Sequence, residues 1–264
     1  MENIALSLSY EGTRYHGWQT QKNASSLQQT ITEALEKLLG QEIYLSGCGR
    51  TDAGVHARRY LANFKADCPI PLNKLPLALN AHLPMDISIK GAVAVPEEFD
   101  ARFSCTKKEY TYYIYPCRIR DPFLTGRTHA YPYPLDVEKM AQGAAHFAGR
   151  RDFASMQSVG TPVKSTVRTV HYVSVRQEGE LIAISACADG FLYNMVRAIA
   201  GTLLYVGCGK FSPDHVAEIL ASADRKNAGP TLPGCGLFMT RLWYADYPQI
   251  TPLGLERPLT LPLL

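Results

Sequence analysis

Apolar and polar positions alternate from the start of the chain. Ile4, Leu6, Leu8 and Tyr10 fall on one side, and Ala5, Ser7 and Ser9 on the other, the period of a half-buried strand. The period then lengthens. Leu27, Ile31, Leu35 and Leu38 recur at helical spacing behind Ser26 and Gln29, a capping-box signature, and Gly40 stops the run. Short strands are predicted near 42–48 and 59–66, a second helix over 71–81 with Leu72, Leu75 and Leu79 on one face, and a closing strand over 87–95.

The rest of the chain repeats that order. A Tyr-rich strand is predicted over 109–116, and a helix over 136–148 with Val137, Met140, Ala144 and Phe147 inward. Strands over 167–176 and 181–187 form a hairpin across Glu178 and Gly179. An apolar helix over 192–206, a short one over 214–222 and a last strand over 237–244 follow. No sequence repeat joins the halves; only the order of elements does. Each reads as βαββαβ, so the predicted class is α+β: two ferredoxin-like halves with antiparallel sheets. The sheet faces left open by the helices are expected to line a shared cleft, as RNA-recognition sheets do. The expected boundaries are 1–104, 105–247 and a tail over 248–264. That tail has four prolines and no helical period, and is expected as an extended strap or a partly mobile segment.

Composition narrows the class. Hydrophobic residues make up 46% of the 264 positions, enough for a well-buried core. The first ten residues lack the basic and apolar regions of a signal peptide. No apolar run nears the roughly 20 residues that span a bilayer, so a soluble, cytoplasmic protein away from membranes is expected. The seven cysteines are odd in number and widely spaced, with no Cys-x-x-Cys. That pattern supports neither a disulfide framework nor a zinc site, and predicts no metal. Charge matters once it is divided: residues 100–170 hold 11 Lys and Arg against 6 Asp and Glu. The same stretch interleaves Phe103, Tyr110, Tyr112, Tyr113 and Tyr115 with Lys107, Lys108, Arg118 and Arg120. Positive charge attracts phosphates and flat rings stack on bases, so the combination points toward RNA.

The candidate chemistry is densest over 47–57, Gly-Cys-Gly-Arg-Thr-Asp-Ala-Gly-Val-His-Ala. Its Gly-x-Gly start fails the dinucleotide spacing, no helix follows at once, and there is no Walker lysine, so phosphate cradling fits poorly. Read alone, the segment is a Gly-rich connection with Asp52 as a local cap. Read with its surroundings, it presents Asp52 beside Arg50 and Thr51 among small residues, where a large substrate can approach. An unperturbed Asp is ionised at neutral pH, as a nucleophile or base requires. A partner cation is available far along the chain: Arg197 interrupts the apolar helix, a costly position unless the charge is paired.

The string 49–57 closely resembles the signature of TruA-type tRNA pseudouridine synthases. Three further segments fit that family: Phe-Asp-Ala-Arg-Phe-Ser over 99–104, Lys-Glu-Tyr-Thr-Tyr over 108–112, and Phe-Leu-Tyr-Asn-Met-Val-Arg over 191–197. A looser match runs from Ala228-Gly229-Pro230 to Gly236-Leu237-Phe238. The chain departs from the family at Arg59-Tyr60, where a Gly-Gln pair is usual. The resemblance implies that Asp52 is the catalytic carboxylate and that Arg50 helps displace the target base. It implies that Tyr110 packs on the uracil and handles the proton leaving C5, and that Arg197 pairs with Asp52. Phe99, Arg102, Lys164 and Arg168, the last two in the loop over 158–168, are the implied tRNA contacts. It further implies uridines 38, 39 and 40 of the anticodon stem-loop as substrates, no cofactor, and a homodimer that holds tRNA with both subunits.

The implied reaction breaks the N1–C1′ bond, turns the uracil and joins C5 to C1′. This is an isomerisation and needs no redox partner, metal or energy donor. Attack on C1′, addition to C6 and a glycal route all remain open to one carboxylate. A second, water-activating carboxylate of the glycosidase kind would be harmful, because the detached base must be recaptured. The competing readings are the same chemistry at another RNA uridine and a non-catalytic RNA-binding or chaperone protein of this fold.

Overall fold

In a computed structural model, residues 1–158, 160 and 163–259 are described. Val159, Thr161 and Pro162 of the expected contact loop, and 260–264 of the expected tail, lie outside them. The protein has an α+β fold whose strands pair mostly antiparallel. It divides into two compact units, Met1–Lys107 with Phe238–Leu264, and Lys108–Leu237.

The first unit runs β1 (Glu2–Tyr10), α1 (Leu27–Leu39), β2 (Ser46–Gly47), β3 (His56–Ala66), α2 (Leu75–Asn80) and β4 (Ile87–Val95). β1 lies between β4 and β3, antiparallel to both, and β2 pairs antiparallel with β3. The βαββαβ order and the ferredoxin-like strand order 4-1-3-2 are both present. The register sets Ile4 against Phe64, Leu6 against Ala62 and Leu8 against Tyr60, all buried. α1 buries Leu27, Ile31, Ala34 and Leu35. Each leucine or isoleucine so buried is worth about 1.5–3 kcal/mol.

Only half of the expected capping box forms. Ser26 Oγ accepts the Gln29 N–H at 3.3 Å, but Gln29 Nε2 donates to Glu33 one turn on instead of reaching back. β2 is shorter than its predicted strand. Ile43 and Leu45 are buried and Tyr44 is exposed, so the alternation is real, but only Ser46 and Gly47 find a strand partner. α2 begins late because Pro71 heads a turn, its carbonyl accepting from Lys74 and Leu75, and Pro76 fits the helix's first positions.

The second unit holds β5 (Lys107–Pro116), β6 (His129–Tyr131), α3 (Val137–Ala145), β7 (Gly149–Asp152), β8 (Val167–Glu178), β9 (Leu181–Ala188), α4 (Met195–Gly207) and α5 (His215–Ser222). Antiparallel pairing runs β5-β9-β8-β7, while β6 pairs in parallel with β5. β9 is buried along its whole length, and α4 nearly so. The strand after α5, β10 (Leu237–Trp243), was expected at the end of this half. It pairs in parallel with β3, Phe238 opposite His56 and Met239 opposite Ala57, and falls with the first unit. Among the described residues of the tail, Pro248–Leu253 forms a 3-10 helix where an extended strap was one expectation, and Ile250 and Leu255 are buried.

Candidate active site

Asp52 sits, half-buried, in a turn fixed by backbone contacts on both sides. Its carbonyl accepts the Val55 N–H at 3.2 Å. Gly54, the third residue of that turn, has φ +73°, as a type II turn demands. Residues 12–18 then lie directly against the loop. Trp18 N–H donates to the Thr51 carbonyl at 3.1 Å, and Gly54 N–H to the Tyr15 carbonyl at 3.3 Å. The approach is close enough to require glycine: a Cβ on Gly17, whose φ is +93°, would lie 2.2 Å from the Thr51 oxygen.

Side chains lock the same loop from below. Thr51 Oγ1 is 3.0 Å from the hydroxyl of the fully buried Tyr10, whose titration burial pushes far upward, so it stays a neutral phenol. Tyr60 stacks on Trp18 with ring centroids 4.2 Å apart, meets Tyr10 edge-on, and its hydroxyl donates to the Gly49 carbonyl. His56 is buried and stacks on Phe238. Its Nδ1 accepts the Gly12 N–H at 2.9 Å, which leaves Nε2 to carry the proton. Glu11 Oε1 lies 3.3 Å from that same Nδ1. Tyr60→Phe should keep the stack and lose the bond to Gly49, costing about 1 kcal/mol. A thermal melt should shift downward by a few degrees, and an unchanged melting point would deny the hydroxyl any part in holding the loop.

Arg50 is exposed, and its Nε donates to Gln19 Oε1 at 3.1 Å. The Phe99 segment is a turn built on Asp100. Asp100 Oδ1 accepts the N–H groups of Arg102 and Phe103, and Asn63 and Asn3 tie down the Phe99 carbonyl. This tight turn buries one aromatic and presents the next. Phe99, an expected tRNA contact, is 2% exposed and packed against Tyr244 and Tyr247, so it is a core residue. Arg102 and Phe103 point outward, with the guanidinium 5.3 Å from the ring centroid.

In the second unit, Tyr110 is buried on β5 and meets Phe191 edge-on at 5.3 Å. α4 begins at Met195 rather than Leu192 because Asn194 adopts a left-handed conformation, φ +61°. A non-glycine residue there costs energy and marks a constrained site. Asn194 Oδ1 accepts from Arg197 Nη1 at 2.6 Å, and Arg197 Nε donates to the Leu232 carbonyl at 2.6 Å. The arginine in the apolar helix is thus half-buried with its fork fixed in direction. Arg168 bonds the carbonyls of Ser165 and Val167, while Lys164 is exposed. Sequence reasoning missed Gly17, Trp18 and Asn194. The cluster Gly17-Trp18 ahead of α1 was the available signal for the first two.

The family model for tRNA pseudouridine synthase matches residues 7–104 and 144–248. The chain belongs to that family. The "tRNA pseudouridine synthase A" of Caldicellulosiruptor bescii is 48% identical over 244 residues, covering 92% of this chain and all of that one. The protein of the same name from Ruminiclostridium cellulolyticum is 45% identical over 246 residues, at the same coverages. Among solved structures, a Cbf5-Nop10-Gar1 complex aligns at 12% identity and a TM-score of 0.36, over 89% of this chain and 57% of that one. Among the described residues, no group of three or more His, Cys, Asp or Glu is placed to hold a metal. Nor is any helix there long and apolar enough to cross a membrane.

Proposed function

We propose that this family member isomerises uridine to pseudouridine at positions 38, 39 and 40 of the tRNA anticodon stem-loop, with Asp52 as the reacting carboxylate. One observation carries the assignment of Asp52: a half-buried carboxylate on a turn whose flanks are fastened to Tyr15, Trp18, Tyr10 and Tyr60. A group held this firmly meets its substrate without reorganising, which is where much catalytic advantage originates. The chemistry conserves atoms. The N1–C1′ bond breaks, C5 bonds to C1′, the C5 proton leaves and N1 gains one.

Arg50, exposed beside Asp52, is suited to enter the stack left by the displaced nucleotide, whose extrusion costs a few kcal/mol. Tyr110 offers a ring for the uracil and a hydroxyl for the C5 proton. Arg197 supplies the positive charge that the family resemblance assigns to Asp52, and its two 2.6 Å bonds fix where that charge points. Arg102, Lys164 and Arg168 are read as phosphate contacts. A homodimer acting in the cytoplasm completes the reading, and sedimentation of the purified chain tests the dimer.

Release of tritium from tRNA labelled at uridine C5 tests the reaction, because completed turnover frees that hydrogen to water. Wild type should release it without any added cofactor, and no release would remove the proposal. Arg197→Ala should slow single-turnover release by about a hundredfold, and Arg197→Lys should recover only part, since a point charge cannot reproduce a planar fork. Wild-type rates in both variants would strip Arg197 of its role.

A further inference from the structure

Strand β3 carries two arginines where its alternation breaks. Leu8 faces Tyr60 and Tyr10 faces Ala57, so Ser9 stands opposite both Arg58 and Arg59. A bulge of this kind bends the strand and re-aims its side chains. Both arginines are half-buried. β10 runs beside β3 in parallel register, Phe238 with His56 and Met239 with Ala57, and Arg241 follows two residues after that pair. Beyond the 3-10 helix the chain returns beside β10, where Leu242 N–H donates to the Leu255 carbonyl at 3.2 Å, and Arg257 follows two residues on. Arg59 has its pKa lowered by burial first, and then by the charges of Arg257, Arg58 and Arg241.

Among the described residues, Arg58, Arg59 and Arg257 take part in no ion pair. The neighbouring Glu256 is exposed and makes none either. Arg59 Nε is buried without a hydrogen-bond partner. A buried, unpaired guanidinium N–H among like charges is costly in the free protein, and an anion bound there would relieve both penalties. Guanidinium forks match phosphate oxygens in pairs.

We propose that Arg58, Arg59, Arg241 and Arg257 form a phosphate-binding site that takes a backbone phosphate of the tRNA. This rests on the tRNA reading above but assigns a contact separate from the reacting nucleotide. It also gives a purpose to Arg59, the residue at which the chain leaves the family pattern.

The test is the affinity of the full-length protein for an unmodified tRNA transcript as salt is raised from about 50 to 200 mM, where each lost phosphate contact lowers the log–log slope by about 0.9. Arg257→Gln, on an exposed side chain, and Arg59→Met should each weaken binding several-fold and flatten the slope by about that amount. Arg59→Met should also raise the melting temperature of the free protein, since it removes the unpaired buried donor. Unchanged affinity and slope in both variants would overturn the proposal, and Arg257→Gln alone decides it if Arg59→Met does not fold. Inorganic phosphate is the second probe. If it raises the melting temperature of wild type but not of Arg59→Met, while both variants keep the wild-type tRNA slope, the site takes free phosphate and the RNA assignment falls. Arginine-dependent tRNA binding by a protein that forms no pseudouridine would leave this site standing and remove the function proposed above.

Discussion

Asp52→Asn should abolish pseudouridine formation, by on the order of 10⁴-fold or more, as loss of a reacting group does in other enzymes. tRNA affinity should stay within about twofold, because affinity comes from phosphate contacts and not from this carboxylate. The substitution is well controlled by the local geometry. The turn is held by the Asp52 carbonyl and Val55 N–H and by the flanking bonds to Tyr15 and Trp18, all of them backbone groups. Asn keeps the shape and size of the side chain and removes only its charge and its nucleophilic oxygen. Single-turnover rates at saturating enzyme check the outcome, and a near-normal rate in Asp52→Asn would mean that the carboxylate is structural.

Gly17→Ala should have the next largest effect. Its φ of +93° is strained for any side chain, and a Cβ would approach the Thr51 oxygen to 2.2 Å and the Asp52 carbonyl carbon to 3.1 Å. The backbone of the Asp52 turn must therefore move or the fold must loosen. A loss of about 2–4 kcal/mol is expected, with turnover reduced by up to about a hundredfold, since displacement of a reacting group by ~1 Å can cost that much. Gly209→Ala separates the two causes. Gly209 has a similar φ of +78° but nothing within 4 Å of its added carbon, so it should lose stability and keep its rate. A Gly17→Ala protein with wild-type melting temperature and rate would contradict the close packing of 12–18 against the Asp52 turn.

Elements whose signals are local were legible in the sequence. β1, α1 with its Ser26 cap and Gly40 stop, β4 and the β8-β9 hairpin all follow from hydrophobic period and turn residues a few positions apart. The string around Asp52 was legible because so many small and charged residues share so short a span. What escaped depended on distant partners. β7, Gly-Arg-Arg-Asp, is exposed at every position and has no apolar signal; it exists only because β8 offers an edge. β10 is legible as a strand, but nothing in Leu237–Trp243 records that β3 will pair with it. The resemblance makes Phe99 a tRNA contact, and only the Asp100 turn shows that the chain reverses there and buries the ring. Asn194 was invisible for a related reason. The apolar run from Leu192 predicts helix throughout, and a left-handed residue that stops it at Met195 leaves no periodic trace.

The central claim is isomerisation of anticodon-arm uridines, and position-by-position mapping of pseudouridine in tRNA tests it most directly. Unmodified transcripts carrying uridine at 38, 39 or 40 are incubated with the purified protein and no cofactor, and modified bases are then located along the chain. Pseudouridine at those three positions, and none elsewhere, is the predicted result. Pseudouridine confined to other positions, or none at all from a folded, tRNA-binding protein, would contradict the account.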